Sequence, residues 1–519
     1  MRTSRVILFL FFILFASAPF ARSRELPSIF EDLETSGASK EIIEELEGYI
    51  SKNPGADYID EALFRLARAY AEKKDFGKAA YFYQKVIEGL PASKFRFDAS
   101  YELGVARYRA GQIKDAKAAL EAVSTSREAG IWLRIKASRL IREIDSALSG
   151  AEQKNDGPAI GVLLPLKGSY TQFGEEALNG VLLAAGVFGK GEGSIEVFAR
   201  NVGTDPSSVE AAVSELSSNS RVAGLVGPLL SVTAGEAARY AQMKKIPVIT
   251  LSQKDGVTEA GDYVFRNFLT PSVQASALAQ YACGGLGKKR LAILHPQNNY
   301  GIELAKLFTK EAEVNGCSVV RSASYPQGQT DFSPEIKRIF GVQVKERKEG
   351  RRVIKEFTPT VNIDAVFIPD SYEAVSLIAP YFGYYNITGI QLFGPNSWNS
   401  PRLVELGGKS VEGAVFVDGF FAESNKPETV DFTKRFKEAY GRSPGVIEAQ
   451  AYDAAMMLIS AIKEGGKESG REALKDRLKS VRGFKGATGS IYFDSRNEPV
   501  KRLFFLTVRD GRVVEAQVK

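Results

Sequence analysis

From Pro158 to the end of the 519-residue chain, short apolar runs alternate with amphipathic helical stretches, and this alternation limits the fold more than any other feature. Strands are expected at Ile160–Leu164, Ile195–Ala199, Gly224–Val226, Val248–Leu251, Leu291–Leu294, Val319–Ser322, Ala365–Ile368, Gln391–Phe393 and Ala414–Val417. Helices are expected between them, for example over Val232–Met243, Gly301–Asn315 and Glu428–Tyr440. Such alternation builds α/β parallel sheets covered by helices on both faces. One core stops growing beyond about 250–300 residues, so two lobes with a cleft between them are expected. In the first unit, Pro158–Phe188, the strand is followed by a Pro/Gly/Ser loop and a helix with Ala177, Leu178, Val181 and Leu182 at helical spacing. Loops of this kind sit at the carboxyl edge of a parallel sheet, where open sheets bind ligands.

Upstream, residues 40–148 carry almost no strand signal and repeat at an offset of 37 residues. Pro54 maps to Pro91, Leu66 to Leu103, Ala67 to Gly104, Ala79 to Ala116, Tyr83 to Leu120 and Val86 to Val123. Small residues at Ala67/Gly104 and Ala79/Ala116 let two antiparallel helices approach. Larger apolar residues fill the space between neighbouring pairs, and the proline ends the second helix. The pattern resembles the tetratricopeptide repeat, an all-α array. Lys40–Lys52 supplies a preceding second helix and Ile131–Leu148 a capping helix. Such an array either holds a protein segment in its groove or acts as a rigid spacer. Residues 24–39 read as a mobile segment, and 149–157, SGAEQKNDG, as a polar linker.

Residues 158–519 resemble the leucine-binding-protein branch of type I periplasmic binding proteins. The resemblance rests on Gly161-Val-Leu-Leu-Pro-Leu, GLVGPLLS at 224–231, IPVIT at 246–250, VFRNFLTPSVQASALAQY at 264–281 and NNYGIELAKLF at 298–308. It continues with TDFSPEI at 330–336, AQAYDAA at 449–455 and FKGATGSIYFD at 484–494. It implies two lobes, 158–269 with 419–501 and 270–418 with 502–519, joined by crossovers near Phe268–Pro271, Phe416–Phe420 and Lys501–Leu503. Helical repeats fused in front resemble the periplasmic penicillin-binding-protein activator family. That resemblance implies a regulator of peptidoglycan synthesis that engages a synthase or another envelope protein. The other reading is a solute receptor serving a transporter or sensor.

Carried across by motif, the ligand loops are Lys167–Tyr170, Leu229–Ser231, Thr250–Lys254, Asn299–Tyr300, Asp370–Tyr372 and Pro395–Asn396. The resemblance implies an interlobe site drawn from Ser169, Tyr170, Ser231, Thr250, Ser252, Gln253, Lys254, Tyr300, Asp370, Tyr372 and Asn396. Ser231 would donate to a carboxylate, and Tyr300 and Tyr372 would wall the site or simply pack. Amino-acid receptors place a carboxylate after the Gly-Pro of GPNSW to neutralise the ligand's ammonium, and here Asn396 stands instead. Losing a buried charge partner costs about 3–5 kcal/mol, so branched-chain amino acids fit poorly. Lys254 departs too, and either pairs with Asp255 or Asp370 or serves an anionic ligand.

Phe340–Thr360 is an insertion, with KERKEGRR between expected short strands Val342–Val344 and Val353–Phe357. It is either a solvated charged turn or a projecting hairpin that docks on a partner or glycan.

Arg2 and Arg5, the apolar run Val6–Phe15 and small residues at Ala16–Ala21 have the order of a secretory signal ending near residue 23. No cysteine lies there to accept lipid, so the expected mature protein is periplasmic and does not span a membrane. The formal net charge of +6 drops to +3 without Arg2, Arg5 and Arg22, too little to argue for nucleic acid. The two cysteines, Cys283 and Cys317, either pair in an oxidising compartment or are buried thiols. The inventory argues against catalysis, metal and cofactor. His295, the single histidine, ends a strand, and no metal-ligand spacing or nucleophile elbow exists. The Gly-rich 189–193 lacks a phosphate-loop ending and reads as a turn, and Glu175–Glu176 favour a helix dipole.

Overall fold

The computed structural model describes residues 26–517 apart from 127, 150–156, 188–194, 350 and 467–469. The expected export signal, most of the linker and the 189–193 turn lie outside the described residues. The chain forms two compact units, Met1–Lys154 and Asn155–Lys519.

The first unit is helical: α1 Leu26–Ser36, α2 Lys40–Lys52, α3 Ile59–Glu72, α4 Phe76–Gly89, α5 Arg96–Arg109, α6 Ile113–Thr125 and α7 Ile131–Ser149. The Ser39 hydroxyl caps α2 by accepting from the Ile42 N–H at 3.2 Å, and Asp75 caps α4 by accepting from Lys78 N–H at 3.0 Å. The repeated small positions sit where helices touch. Ala67, Ala79 and Ala116 are fully buried, and a Cβ on Gly104 would stand 2.6 Å from Leu120 Cγ. Pro54 and Pro91 follow the ends of α2 and α4. One expectation is corrected: within the expected mobile segment 24–39, the described residues Leu26–Ser36 form α1, which buries Leu26 and Ile29 against the repeat core. The 37-residue comparison cannot reveal α1, which lies ahead of the first full repeat.

The second unit opens with β1 Ala159–Leu164, β2 Glu196–Asn201, β3 Val222–Val226, β4 Val248–Thr250 and β5 Val264–Arg266. These form a wholly parallel sheet in the order β2-β1-β3-β4-β5. Then follow β6 Arg290–Pro296, β7 Ser318–Tyr325, β8 Gln343–Glu349, β9 Arg352–Thr358, β10 Ala365–Phe367, β11 Gln391–Gly394 and β12 Val415–Asp418. The last strands are β13 Phe484–Gly486, β14 Gly489–Phe493, β15 Pro499–Lys501, β16 Phe504–Arg509 and β17 Arg512–Glu515. The second sheet runs β17-β16-β12-β11-β10-β6-β7. It is parallel from β7 to β12, but β16 and β17 add antiparallel. The parallel sheets are those the alternation predicts; β16 and β17 add to the second as a tight hairpin at its edge, to which strand–helix alternation is blind.

The chain passes between the two sheets after β5, after β12 and after β15. Helices Pro427–Tyr440 and Val446–Glu464 return to the first lobe, where Phe432, Phe436 and Tyr452 pack with Leu183 and Phe420. In the second lobe Cys283 and Cys317 are disulfide-bonded, with Cα atoms 5.9 Å apart and a separation of 34 positions in sequence. Closing a loop of that length restricts the unfolded chain by about 3–4 kcal/mol. Replacing both cysteines by serine is therefore expected to lower the unfolding free energy of the second unit, read from urea titration, by that amount, and dithiothreitol should lower the wild type to match.

Candidate functional site

The three passages between the lobes meet at a buried polar cluster, each contributing a side chain. Asn267, just after β5, accepts from Lys501 Nζ at 3.3 Å and donates through Nδ2 to the Gln450 carbonyl at 2.8 Å. Asp418, ending β12, accepts from Asn399 Nδ2 at 2.8 Å and from the Gly419 N–H at 2.6 Å. Asp453, on the helix Val446–Glu464, accepts from the Ala487 and Thr488 N–H groups and the Thr488 hydroxyl, at 2.6, 2.9 and 2.6 Å. Gly486 is dictated by this contact, because a Cβ there would lie 2.5 Å from the Asp453 carboxylate.

Burial pushes Asp418 up to about 7 and Asp453 up to about 6, against the pull of their hydrogen-bond donors and of Lys501. Burial pushes Lys501 down to about 8, against the pull of Asp453 and Asp418. As a whole residue Lys501 is only half-buried, but its ammonium lies deep among protein atoms. Beside this cluster the Gln450 side-chain amide is buried with no hydrogen-bond partner among the described residues, its Nε2 2.8 Å from where a Cβ on Gly419 would sit.

The residues expected at the ligand site fall into two groups. On the first lobe, Ser231 opens the helix Ser231–Met243, and its hydroxyl accepts from Ser252 at 3.4 Å. Ser252 in turn accepts from the Lys254 N–H at 3.1 Å. Gln253 and Lys254 are exposed, and the Lys254 ammonium lies over Gly235 of that helix. The expected pairing of Lys254 with Asp255 or Asp370 does not form. Asp255 faces Arg266 at 3.9 Å, and Arg266 also donates to the Lys254 carbonyl, which fixes this loop. Thr250 is corrected out of the cleft: strand alternation turns it inward, where it donates to the Phe265 carbonyl at 3.2 Å. Ser169 and Tyr170 are exposed ahead of the helix Thr171–Ala184, with Tyr170 against Phe173.

On the second lobe, Gln274 joins two expected residues. It accepts from the Asn396 N–H at 2.8 Å and hydrogen-bonds Tyr300, whose hydroxyl burial pushes well above the usual range. The Asp370 carboxylate is occupied by the Tyr325 hydroxyl at 2.6 Å, and its carbonyl accepts from Ser397 and Trp398 Nε1. Tyr372 accepts from Arg402 at 3.2 Å. Thus Asp370 and Tyr372 are engaged inside their own lobe.

A cavity of about 1010 Å³ opens beside Asn396. Asn399, Asp418 and Phe420 form one side, and Glu176, Arg442 and Glu448 of the first lobe form another. Arg442 neutralises Glu448 at 2.6 Å, while burial and the Glu448 charge push Glu176 up. Of the expected site residues, Asn396 lines this cavity; the Ser231 group does not. Sequence reasoning missed Gln274, Asn399, Asp418 and Lys501. Asp418 alone left a signal, as a carboxylate ending an otherwise apolar strand.

The helical unit has concavities of its own. One, about 640 Å³, has Ile50, Leu63, Phe82 and Leu90 with Glu47 and Lys85. The other, about 500 Å³, has Leu33, Phe64 and Phe95 with Arg65, Arg68 and Glu72. Among the described residues no helix is long and apolar enough to cross a membrane, and no group of three or more His, Cys, Asp or Glu is placed to hold a metal ion. His295 Nδ1 lies 3.0 Å from the Pro296 carbonyl.

These features agree with known proteins. A family profile described as periplasmic binding protein matches residues 158–512, and one described as tetratricopeptide repeat matches 61–93 and 98–126. The chain belongs to the periplasmic binding protein family, with tetratricopeptide repeats ahead of the family domain. Its members bind solutes without transforming them, and this chain is a binding protein. Leu/Ile/Val-binding protein homolog 7 of Brucella suis biovar 1 (strain 1330) is 24% identical over 398 residues, covering 72% of this chain and 94% of that protein. An ABC transporter substrate-binding protein from Sphaerobacter thermophilus is 23% identical with a TM-score of 0.55, over 69% of this chain and 96% of its own. A Rhodopseudomonas palustris solute-binding protein solved with benzoate is 20% identical with a TM-score of 0.51, over 69% and 95% of the two chains.

The buried cluster sets a pH dependence. Asp418 and Asp453 have folded pKa values near 7 and 6, above the ordinary 3.8, so the folded protein holds protons that the unfolded chain has released. Their contribution is full below the ordinary value and declines as pH rises through the raised ones. Unfolding free energy is therefore expected to fall between pH 4 and 7. Asp418→Asn should flatten that decline by at least about 1 kcal/mol, since one unit of pKa is worth about 1.4 kcal/mol. Urea titrations at a series of pH values check this.

Proposed function

We propose that this protein is a non-catalytic envelope regulator, in which the helical repeats engage a protein partner and the binding-protein unit carries an altered ligand cleft. Its most specific form is an activator of peptidoglycan synthesis, the partner being a synthase. The observation that carries the reading is at Asn396. Where an amino-acid receptor needs a carboxylate, this chain presents a neutral amide, and its backbone N–H is already satisfied by Gln274. Asp370, the nearest substitute by sequence, is bound to Tyr325. The repeat unit meanwhile offers apolar floors with charged rims, suited to a peptide segment.

In-cell crosslinking followed by mass spectrometry tests this. Capture of a peptidoglycan synthase is expected, and either Arg68→Glu or Lys85→Glu, one in each repeat concavity, should remove it. Capture of a transporter permease instead, unchanged in both variants, would overturn the regulator.

The cavity beside Asn396 favours a second reading, a solute receptor. Its volume is at the upper end of small-molecule sites, about 300–1,000 Å³. An anionic solute without an ammonium group, such as the benzoate held by the Rhodopseudomonas relative, needs no carboxylate at 396. On this reading benzoate raises the melting temperature and leucine does not, while Asn396→Glu reverses the preference. A lack of response to both ligands in both proteins would sink it.

A further inference from the structure

The ribbon β8–β9 belongs neither to the cavity nor to the helical unit. It is a separate two-stranded sheet with exposed side chains along almost its whole length. An isolated hairpin is marginal in water, and this one is anchored at its base. Phe357 packs on Tyr384 and Tyr385 with ring centroids 5.2 and 4.9 Å away, and its carbonyl accepts from Asn386 Nδ2 at 3.2 Å.

That last bond fixes the direction of every backbone group in the ribbon. The Phe357 carbonyl points away from β8, so the pair Val344–Phe357 is one that exchanges no hydrogen bonds. By alternation, Glu346 with Lys355 and Lys348 with Val353 are of the same type. Val344, Glu346 and Lys348 therefore aim their N–H and C=O groups outward along the free edge of β8. Those groups have no hydrogen-bond partner among the described residues.

We propose that this edge of β8 takes up an acidic, extended segment of a partner protein as a third, antiparallel strand. Charge selects the occupant. Residues 343–358 hold six Lys or Arg against three Glu. Glu346 is neutralised across the ribbon by Lys355 at 3.3 Å, and Arg347 pairs with Glu349 at 2.6 Å. Lys345 and Lys348 have no ion-pair partner among the described residues, and both lie on the strand that borders the open edge. An incoming strand thus meets lysines on both faces of β8, with apolar Val344 near the base. Charged side chains on an edge normally keep other strands from adding. Here they reject basic and neutral strands and admit one that carries carboxylates on both of its faces, three positions apart like Lys345 and Lys348.

The test uses the full chain and a fluorescent, end-blocked peptide of Glu-Thr-Thr repeats, which as a strand places successive Glu on opposite faces, with Gln replacing Glu in the control. Anisotropy should show saturable binding of the Glu peptide, and Lys345→Glu with Lys348→Glu should weaken it about tenfold, as a few cross-strand charge pairs would. Glu346→Pro removes an outward N–H without touching a bond to β9 and should abolish it. As that variant also risks the ribbon's fold, hydrogen exchange on the wild type supplies a second readout. The amides of Val344, Glu346 and Lys348 should gain protection when the peptide is added. Equal binding of an unstructured polyanion such as heparin, with no gain in protection at those amides, would replace the strand site with a sequence-blind basic surface. No binding of the Glu peptide would overturn the proposal outright.

Discussion

The binding-protein unit depends on keeping one ammonium group buried where its two lobes join. Lys501 reaches that place from the last passage between the lobes, Asn267 from the first, and Asp418 from the second. A charge removed from water costs several kcal/mol unless opposite charge and hydrogen-bond acceptors are close. Only when all three passages are in register do Asn267, Asp418 and Asp453 surround Lys501. An apolar junction would bury comparable area at a lower desolvation cost, but it would tolerate sliding of one passage against another. The polar cluster does not, because each displaced group would be left buried and unpaired. The junction is therefore specified more sharply than it is stabilised.

The same cluster explains two of the sequence motifs that first suggested the family. Asp453 is the carboxylate of AQAYDAA and Thr488 the threonine of FKGATGS; Thr488 donates two hydrogen bonds to Asp453 and its neighbour Ala487 a third. Gly486 precedes them because the carboxylate occupies the place of its Cβ. Arg266 and Glu498 form a second tie of this kind, at 2.6 Å, between β5 and the turn before β15. Resemblance in such motifs thus reports lobe junction and turn geometry, and it carries no information on what the cleft holds.

That distinction accounts for what was legible in the chain. The strands, the helical repeat and the hairpin follow from local periodicity, since each is set by residues a few positions apart. Burial at Ala67, Ala79 and Gly104 follows as directly, because small residues mark where helices touch. The site was read less well. Thr250 looked like a loop hydroxyl, but the last position of β4 points it into the core. Asp370 is an expected ligand-loop acid, but Tyr325 reaches it from β7, two strands away from β10, and takes it. Gln274 satisfies Asn396 from 122 residues away, and no local pattern announces such a pair. The antiparallel β16–β17 edge escaped for a related reason: a hairpin added to a parallel sheet has no helix to mark its place.

The unpaired amide of Gln450 bears on how the lobes are related to function. It is buried beside Gly419 in the second passage, next to the two residues, Asp418 and Phe420, that wall the cavity. A buried amide without partners is costly, about 1–3 kcal/mol. Asp418 is at once a member of the buried cluster and part of the cavity wall, so occupation of the cavity and the register of the passages are not independent. A ligand that drew the Asn399 amide away from Asp418 would also alter the charge facing Lys501. In a receptor that coupling tunes affinity. In a regulator it gives the cleft a means of acting on the relation between the lobes, and in either case Asp418 is the residue through which the two are linked.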